Sequence, residues 1–347
     1  MIVREKEPVN LEMPFGTLEG LITPNERFYV RGHFPIPQID AKVWRLTVEG
    51  EVEQPFALSY AELRQMKSRT VSATLECAGN SRALLTPPAS GVQWELGAVG
   101  NADWTGVPLT AMLERAEMKA SAVDVIFEGS DQGEIAAPPR PAGKIHYARS
   151  VPRDKALKDV LLAFKMNGAE LSPAHGFPVR AIVPGWYGMA SVKWLARIVA
   201  SEKPFAGYFQ SIDYAYWDRR SGLPSLVPIA ELQVKAEIAR PRMGEVVTAG
   251  ASYRLHGAAW TGGADLAKVD ISADGGLTWR PAKLLGSPVP NAWQLWEYEW
   301  QTPAEPGKLT LMARATDSRG REQANKHDAD FGSYLIGHCL PIEVEVR

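Results

Sequence analysis

Residues 74–82 read Thr74-Leu75-Glu76-Cys77-Ala78-Gly79-Asn80-Ser81-Arg82, with one of only two cysteines of a 347-residue chain at the centre. Upstream, residues 70–75 are rich in β-branched side chains and alternate, which predicts a strand that delivers Cys77 at its C-terminal end. Downstream, Gly79-Asn80 predicts a turn, and Gly79 permits close backbone approach. A cysteine so placed has three readings. It is a small buried hydrophobe, a nucleophile needing His33, His146 or His175 as base, or a single thiolate on a soft or high-valent metal. A second region supplies a different chemistry. His175-Gly176-Phe177-Pro178-Val179-Arg180, Pro184-Gly185 and Ser191-Val192-Lys193-Trp194 bring cationic and hydroxyl groups of the kind that hold a phosphate.

Composition bounds the rest. The length allows two domains with separate cores, and 45% apolar with 22% charged residues is that of a globular protein. The formal net charge of −2, with both signs spread along the chain, argues against a nucleic-acid surface. No apolar run has the length of a membrane span, so no membrane association is expected. The N-terminus, Met1-Ile2-Val3-Arg4-Glu5-Lys6-Glu7, has neither an apolar leader segment nor a twin-arginine pair. A cytoplasmic location is expected for the chain as it stands, or a periplasmic one if an export leader has been removed. Cys77 and Cys339 form no disulfide framework, and no zinc-ribbon, c-type haem or Walker motif occurs.

Patterning changes near residue 230. Before it, residues 1–40 are Pro-rich and aperiodic, an arm expected to wrap onto the domain. Strands are predicted over 44–49, 70–75 and 122–128, and further apolar strands or buried segments over 159–166 and 179–183. Helices are predicted from a capping box at Ser59-Tyr60-Ala61-Glu62 and over 109–116. After it, residues 248–258, 268–273, 293–300, 308–315 and 342–346 alternate, and Asp274-Gly275-Gly276 is read as a hairpin turn between 269–272 and 277–279. The expected fold is therefore α+β: a mixed α+β domain over 1–230, then an immunoglobulin-like β-sandwich over 231–347.

Six stretches in order now carry a resemblance. They are 28–37 (around Arg31-Gly32-His33), 75–82 around Cys77, 91–98 around Trp94, 127–131 ending in Asp131, 146–152 around Tyr147, and 175–194. Together they resemble the sulfite oxidase family of molybdopterin oxidoreductases, over about residues 20–346. The resemblance implies a molybdopterin-binding catalytic domain followed by a dimerisation domain, hence a homodimer. It implies a molybdenum–molybdopterin cofactor, with Cys77 as metal ligand and no haem in this chain. Arg31, Arg82, Trp94 and Tyr147 would form the substrate pocket. His175, Arg180, Ser191, Val192 and Lys193 would hold the cofactor phosphate, with Arg31, His33 and Asp131 at its other polar edges. Taken singly, Trp94 reads as core packing, Tyr147 as a sheet tyrosine and Lys193 as a solvated charge. His327 and His338 are left as structural or surface residues.

The implied activity is oxidation of sulfite to sulfate, with electrons passed to an external acceptor, a c-type cytochrome. Two departures bear on it. Gly32 stands where the family pattern has an asparagine, and 330–335 read Asp330-Phe331-Gly332-Ser333-Tyr334-Leu335 where eukaryotic members carry an arginine. The second departure keeps open a reductase of a sulfoxide or other oxo-anion. A third reading is a non-catalytic binding protein with a degenerate cofactor domain, against which stand intact Cys77, Arg180 and Lys193.

Overall fold

The predicted cysteine strand is Arg69–Glu76 in the computed structural model, which describes residues 1–220 and 222–347. It pairs antiparallel with Val99–Pro108, from Arg69 opposite Gly106 to Glu76 opposite Val99. Leu161–Met166 lies on the other side of Val99–Pro108, and Arg180–Ile182 pairs back onto it. A second five-stranded sheet runs Phe56–Ser59, Arg45–Gly50, Leu195–Ser201, Asp124–Gly133, Ile145–Pro152. Helices are few and short. Tyr60–Gln65 begins at the predicted capping box, with the Ser59 side chain accepting from Glu62 N and Glu62 returning the bond. Leu109–Arg115 buries Leu109, Met112 and Leu113.

The C-terminal sheets face each other as a sandwich. One is Lys235–Arg240, Ser252–Trp260, Gln294–Gln301, Lys283–Leu284; the other is Val246–Val247, Ile342–Val346, Gly307–Asp317, Leu266–Ser272, Arg280–Pro281. Leu255, Ile271, Trp296, Leu311 and Val344 fill the space between. One expectation is corrected. The strand returning from Asp274-Gly275-Gly276 is Arg280–Pro281, not 277–279. Asp274 holds a longer loop open, because its carboxylate accepts from both the Thr278 N–H and the Thr278 hydroxyl at 2.9 and 2.6 Å.

The arm at residues 1–40 carries a small hairpin, Ile2–Glu5 with Asn10–Glu12, and then crosses the first sheet. Phe28 and Tyr29 sit in the same apolar cluster as Leu75 and Cys77. Strand alternation explains the division of the cysteine strand. Ala73, Leu75 and Cys77 enter this cluster. Thr74 and Glu76 point away and meet the sandwich, where Trp293 N–H donates to Thr74 Oγ1 at 2.7 Å and Trp260 Nε1–H to Glu76 at 2.8 Å. Among the described residues, no helix is long and apolar enough to cross a membrane.

Candidate cofactor and active site

A cavity opens where the end of the cysteine strand, the arm and the 174–194 segment meet. Arg31, His33, Cys77, Asp131, Tyr147, His175, Arg180, Ser191, Val192 and Lys193 all line it, and Tyr29, Met189 and Tyr214 join them. The structure therefore brings together residues spread from Tyr29 to Tyr214.

Cys77 marks one end. Its N–H donates to Ala98 O at 2.9 Å and its carbonyl accepts from Asn80 N at 2.9 Å, so the loop is tight. The Asn80 side chain fixes it from behind, accepting from Ala98 N at 2.9 Å. Ser81 adopts φ 73°, a left-handed conformation rare for a non-glycine residue. Burial pushes the Cys77 thiol up, while Arg31 and Arg82 pull it down. Among the described residues no three His, Cys, Asp or Glu side chains converge on one point.

The other end is cationic. Arg180 is buried, with Nη1 and Nη2 donating to His175 O (3.1 Å) and Ser191 O (3.0 Å), and its guanidinium lies 4.9 Å from the Trp104 ring. Its Nε has no partner. Burial lowers Arg180 to about 10. Lys193 donates to Ala174 O at 3.1 Å and packs over Trp194, 4.1 Å from the ring centroid. Burial, then Arg180, lowers it to about 7. The Ser191 hydroxyl accepts from Val183 N at 3.0 Å. His175, lowered to about 4 by burial and by Arg180, is neutral, and its Nε2 is 3.2 Å from Asn25 O. Asp131 is 4% exposed, its Oδ1 lacks a partner, and burial raises it to about 6. Arg180 and Lys193 make this end of the cavity a receptor for an anion, with the unpartnered Arg180 Nε as a further donor, while the unpartnered Asp131 Oδ1 is left to accept from an N–H or O–H group.

Between these ends lie the aromatic groups. His33 stacks on Tyr147 at 4.8 Å between centroids and shares a 2.7 Å hydrogen bond with the Tyr214 hydroxyl. Burial and Arg31 hold His33 well below its ordinary value, so it is neutral. The Tyr147 hydroxyl donates to Met189 O at 2.9 Å. Its proton is thus committed to the backbone, and Tyr214 is the tyrosine whose hydroxyl faces the neutral histidine. Sequence reasoning missed Tyr214. The only clue was the aromatic run Tyr214-Ala215-Tyr216-Trp217, an ordinary strand pattern.

Two expected pocket residues are elsewhere. Trp94 does not line the cavity. It is fully buried with Phe28, Leu75, Cys77 and Val92, because the turn through 92–94 points its ring into the core behind the cysteine loop. Arg82 is set back as well. It donates from Nε to Ser333 O and from Nη1 to Val92 O, both at 2.9 Å, and lies 5.1 Å from the Tyr334 ring. A Cβ at Gly79 or Gly91 would collide with its guanidinium. The close approach permitted by Gly79 is therefore that of Arg82. The 330–335 segment caps this side: Leu335 N–H donates to Ala78 O at 2.8 Å and the Tyr334 hydroxyl to Asp213 at 2.8 Å.

A family model described as "Oxidoreductase molybdopterin binding domain" matches residues 33–209, and one described as "Mo-co oxidoreductase dimerisation domain" matches 227–330. The chain is 38% identical to sulfite oxidase of Gallus gallus over 91% of its own length and 71% of that protein's. It is 36% identical to mitochondrial sulfite oxidase of Mus musculus, again over 91% of its length, and spans 60% of that relative. It is 32% identical to an NADH nitrate reductase of Solanum lycopersicum, over 92% of this chain and 38% of that one. Among solved structures, the sulfane dehydrogenase SoxCD of Paracoccus pantotrophus superposes with a TM-score of 0.83 at 26% identity, covering 97% of this chain and 84% of that one.

Proposed function

Because the chain belongs to the sulfite oxidase family of molybdopterin oxidoreductases, we propose that it oxidises sulfite to sulfate at the Cys77 end of the cavity. Sulfite and water give sulfate, two protons and two electrons. The electrons leave to an external acceptor, which we take to be a c-type cytochrome. When bound, the molybdenum–molybdopterin group supplies the oxygen-transfer and two-electron chemistry; the protein's part is binding, orientation and electrostatics. Cys77 is the metal ligand in this reading. Arg180, Lys193, Ser191 and Val192, with the His175 turn, hold the phosphate. Asp131 would accept hydrogen bonds from the pterin edge, and His33 would border the cofactor.

The observation that carries the sulfite reading is Arg31. Its guanidinium lines the cavity, donates to the Gly32 carbonyl and to Asn10 Oδ1, and has no carboxylate within ion-pair distance among the described residues. Burial opposes its charge, yet the neighbouring Tyr214 and Cys77 raise it, so it is a permanent cation beside the thiol. A small oxyanion is its complement. Arg82 adds charge from behind, and the Tyr214 hydroxyl supplies a donor with His33 as the tautomer that donates from Nε2. Tyr147 and Met189 form the wall. We place the boundary between catalytic and dimerisation parts near residue 230, ahead of the strand Lys235–Arg240, and infer a homodimer from the dimerisation-domain match.

The test is sulfite-dependent reduction of ferricyanide by protein shown to carry about one molybdenum per chain, with Cys77→Ala as control. Turnover abolished by the substitution supports the proposal; no turnover in metal-loaded protein sinks it. A second reading, reduction of a sulfoxide or another oxo-anion, is favoured by Asp213. This carboxylate lies 4.0 Å from His33 and weakens the positive field beside the cavity, which suits a neutral sulfoxide better than an anion. Oxidation of a reduced viologen by a sulfoxide or nitrate, without sulfite turnover, would select it.

A further inference from the structure

Directly behind the cysteine loop, on the side away from the cavity, lies a charged cluster that the proposed reaction does not use. Lys235 Nζ is 2.9 Å from Glu76, 2.8 Å from Glu237 and 3.1 Å from Ser81 Oγ. All three ionic side chains are 1–2% exposed. Glu76 also accepts from Trp260 Nε1 at 2.8 Å and from Asn80 Nδ2 at 3.2 Å. Glu237 accepts from Ser81 Oγ at 3.0 Å and Asn80 Nδ2 at 3.3 Å, and its Oε2 has no partner.

The membership is informative. Glu76 precedes Cys77, and Asn80 and Ser81 follow it by three and four positions. Lys235, Glu237 and Trp260 come from two adjacent strands of the sandwich, Lys235–Arg240 and Ser252–Trp260. The second part of the chain thus grips the cysteine loop on both flanks. Such a cluster is a poor source of stability, since removing two carboxylates and a lysine from water costs several kcal/mol per ion and apolar replacements are often neutral or better. What it does supply is direction. Four donors, Lys235 Nζ, Trp260 Nε1, Asn80 Nδ2 and Ser81 Oγ, meet the two carboxylates in one loop geometry, the one that holds Ser81 at its left-handed φ.

We infer that Lys235, Glu237 and Trp260 are positioning residues, through which the sandwich fixes the Cys77 sulfur relative to the metal. The inference rests on Cys77 being the metal ligand. Outer partners of a ligand set its orientation and the properties of the metal.

The test uses the full chain with Lys235→Met. A second variant, Glu76→Gln/Lys235→Met/Glu237→Gln, removes all three charges at once and is read in the same two ways if the single variant does not fold. Two readouts separate the possibilities. In cofactor-free protein, amide hydrogen exchange over residues 77–84 is expected to accelerate by roughly 10-fold or more, with exchange elsewhere unchanged. In molybdenum-loaded protein, the electron paramagnetic resonance of the half-reduced metal is expected to shift, and kcat to fall roughly 10–100-fold at unchanged KM. A folded variant with unchanged exchange over 77–84 and an unchanged spectrum overturns the inference. Faster exchange over 77–84 with an unchanged spectrum in molybdenum-loaded protein would retain the grip on the loop and instead defeat the assignment of Cys77 as ligand.

Discussion

At the residue scale the two tyrosines of the site make opposite predictions, because their hydroxyls have different partners. Tyr147 donates to a backbone carbonyl, and Tyr214 shares its hydrogen bond with a neutral histidine inside the cavity. Tyr147→Phe is expected to cost about 1 kcal/mol of stability, the net worth of one hydrogen bond, and to leave kcat within a few-fold. Tyr214→Phe removes a donor from the place where charge develops, and kcat is expected to fall by about 10²–10³ with a small change in melting temperature. Steady-state kinetics and urea unfolding of both variants check this; equal losses of activity would refute it. Lys193 makes a pH-dependent prediction. Its value falls from 10.5 to about 7 through burial and Arg180, with Asp131 opposing the shift and Arg31 adding to it. A lysine lowered on folding penalises the folded state below its folded pKa, and the penalty fades as pH rises toward the unfolded value. Cofactor-free wild-type protein should therefore gain stability relative to Lys193→Met between pH 7 and pH 9, a window in which Asp131, at about 6, stays ionised. Denaturant unfolding across that range checks the sign, and a pH-independent difference would remove Lys193 from the anion receptor.

At the element scale, the cysteine strand shows what a sequence can and cannot disclose. Its alternation, its turn and the lone thiol were legible, as were the capping box at Ser59 and the strands of the sandwich, since each is a local pattern with a period of 2 or a fixed offset. The grouping of Arg31, Cys77, Asp131, Arg180 and Lys193 came from resemblance, because no spacing rule brings residues from four different segments together. The partners of Thr74 and Glu76 were not legible at all. Both read as ordinary outward positions of a half-buried strand, and only the docking of the sandwich turns that face into an interior one. Thr74 shows what the docking requires. Its hydroxyl accepts from Trp293 N–H at 2.7 Å and donates to Asn101 Oδ1 at 3.1 Å, while its own N–H donates to Asn291 O at 2.9 Å. Thr74→Val keeps shape and β propensity but leaves a buried N–H and a buried amide oxygen short of partners. It is expected to destabilise the protein by about 1–3 kcal/mol. Urea unfolding would show it, and a value near zero would mean that the contact between strand and sandwich is loose in solution.

At the scale of the whole molecule, the two parts are unequal in their dependence on each other. The sandwich has an apolar interior whose buried members all come from beyond residue 230, including Ile238, Leu255, Ile271, Trp296 and Leu311, with Leu96 of the catalytic part packed against it. The large core of the catalytic part does not close on itself, since it takes in Ala258, Trp260, Trp293 and Leu335 from beyond residue 230. Cutting the chain there strips Glu76 of Lys235 and Trp260, Thr74 of Trp293, and Arg82 of the Ser333 carbonyl. Losing a buried tryptophan costs about 3–5 kcal/mol. Losing both therefore approaches the whole stability of a domain, about 5–15 kcal/mol. A chain of residues 231–347 is expected to unfold cooperatively and, as the dimerisation part, to sediment at twice its monomer mass. A chain of residues 1–230 is expected to be insoluble or to lack a cooperative transition, and to retain no molybdenum. Calorimetry and sedimentation of the two fragments decide it. Should 1–230 fold and hold the metal alone, the cysteine loop would be set by its own sheet, and the sandwich would serve association only.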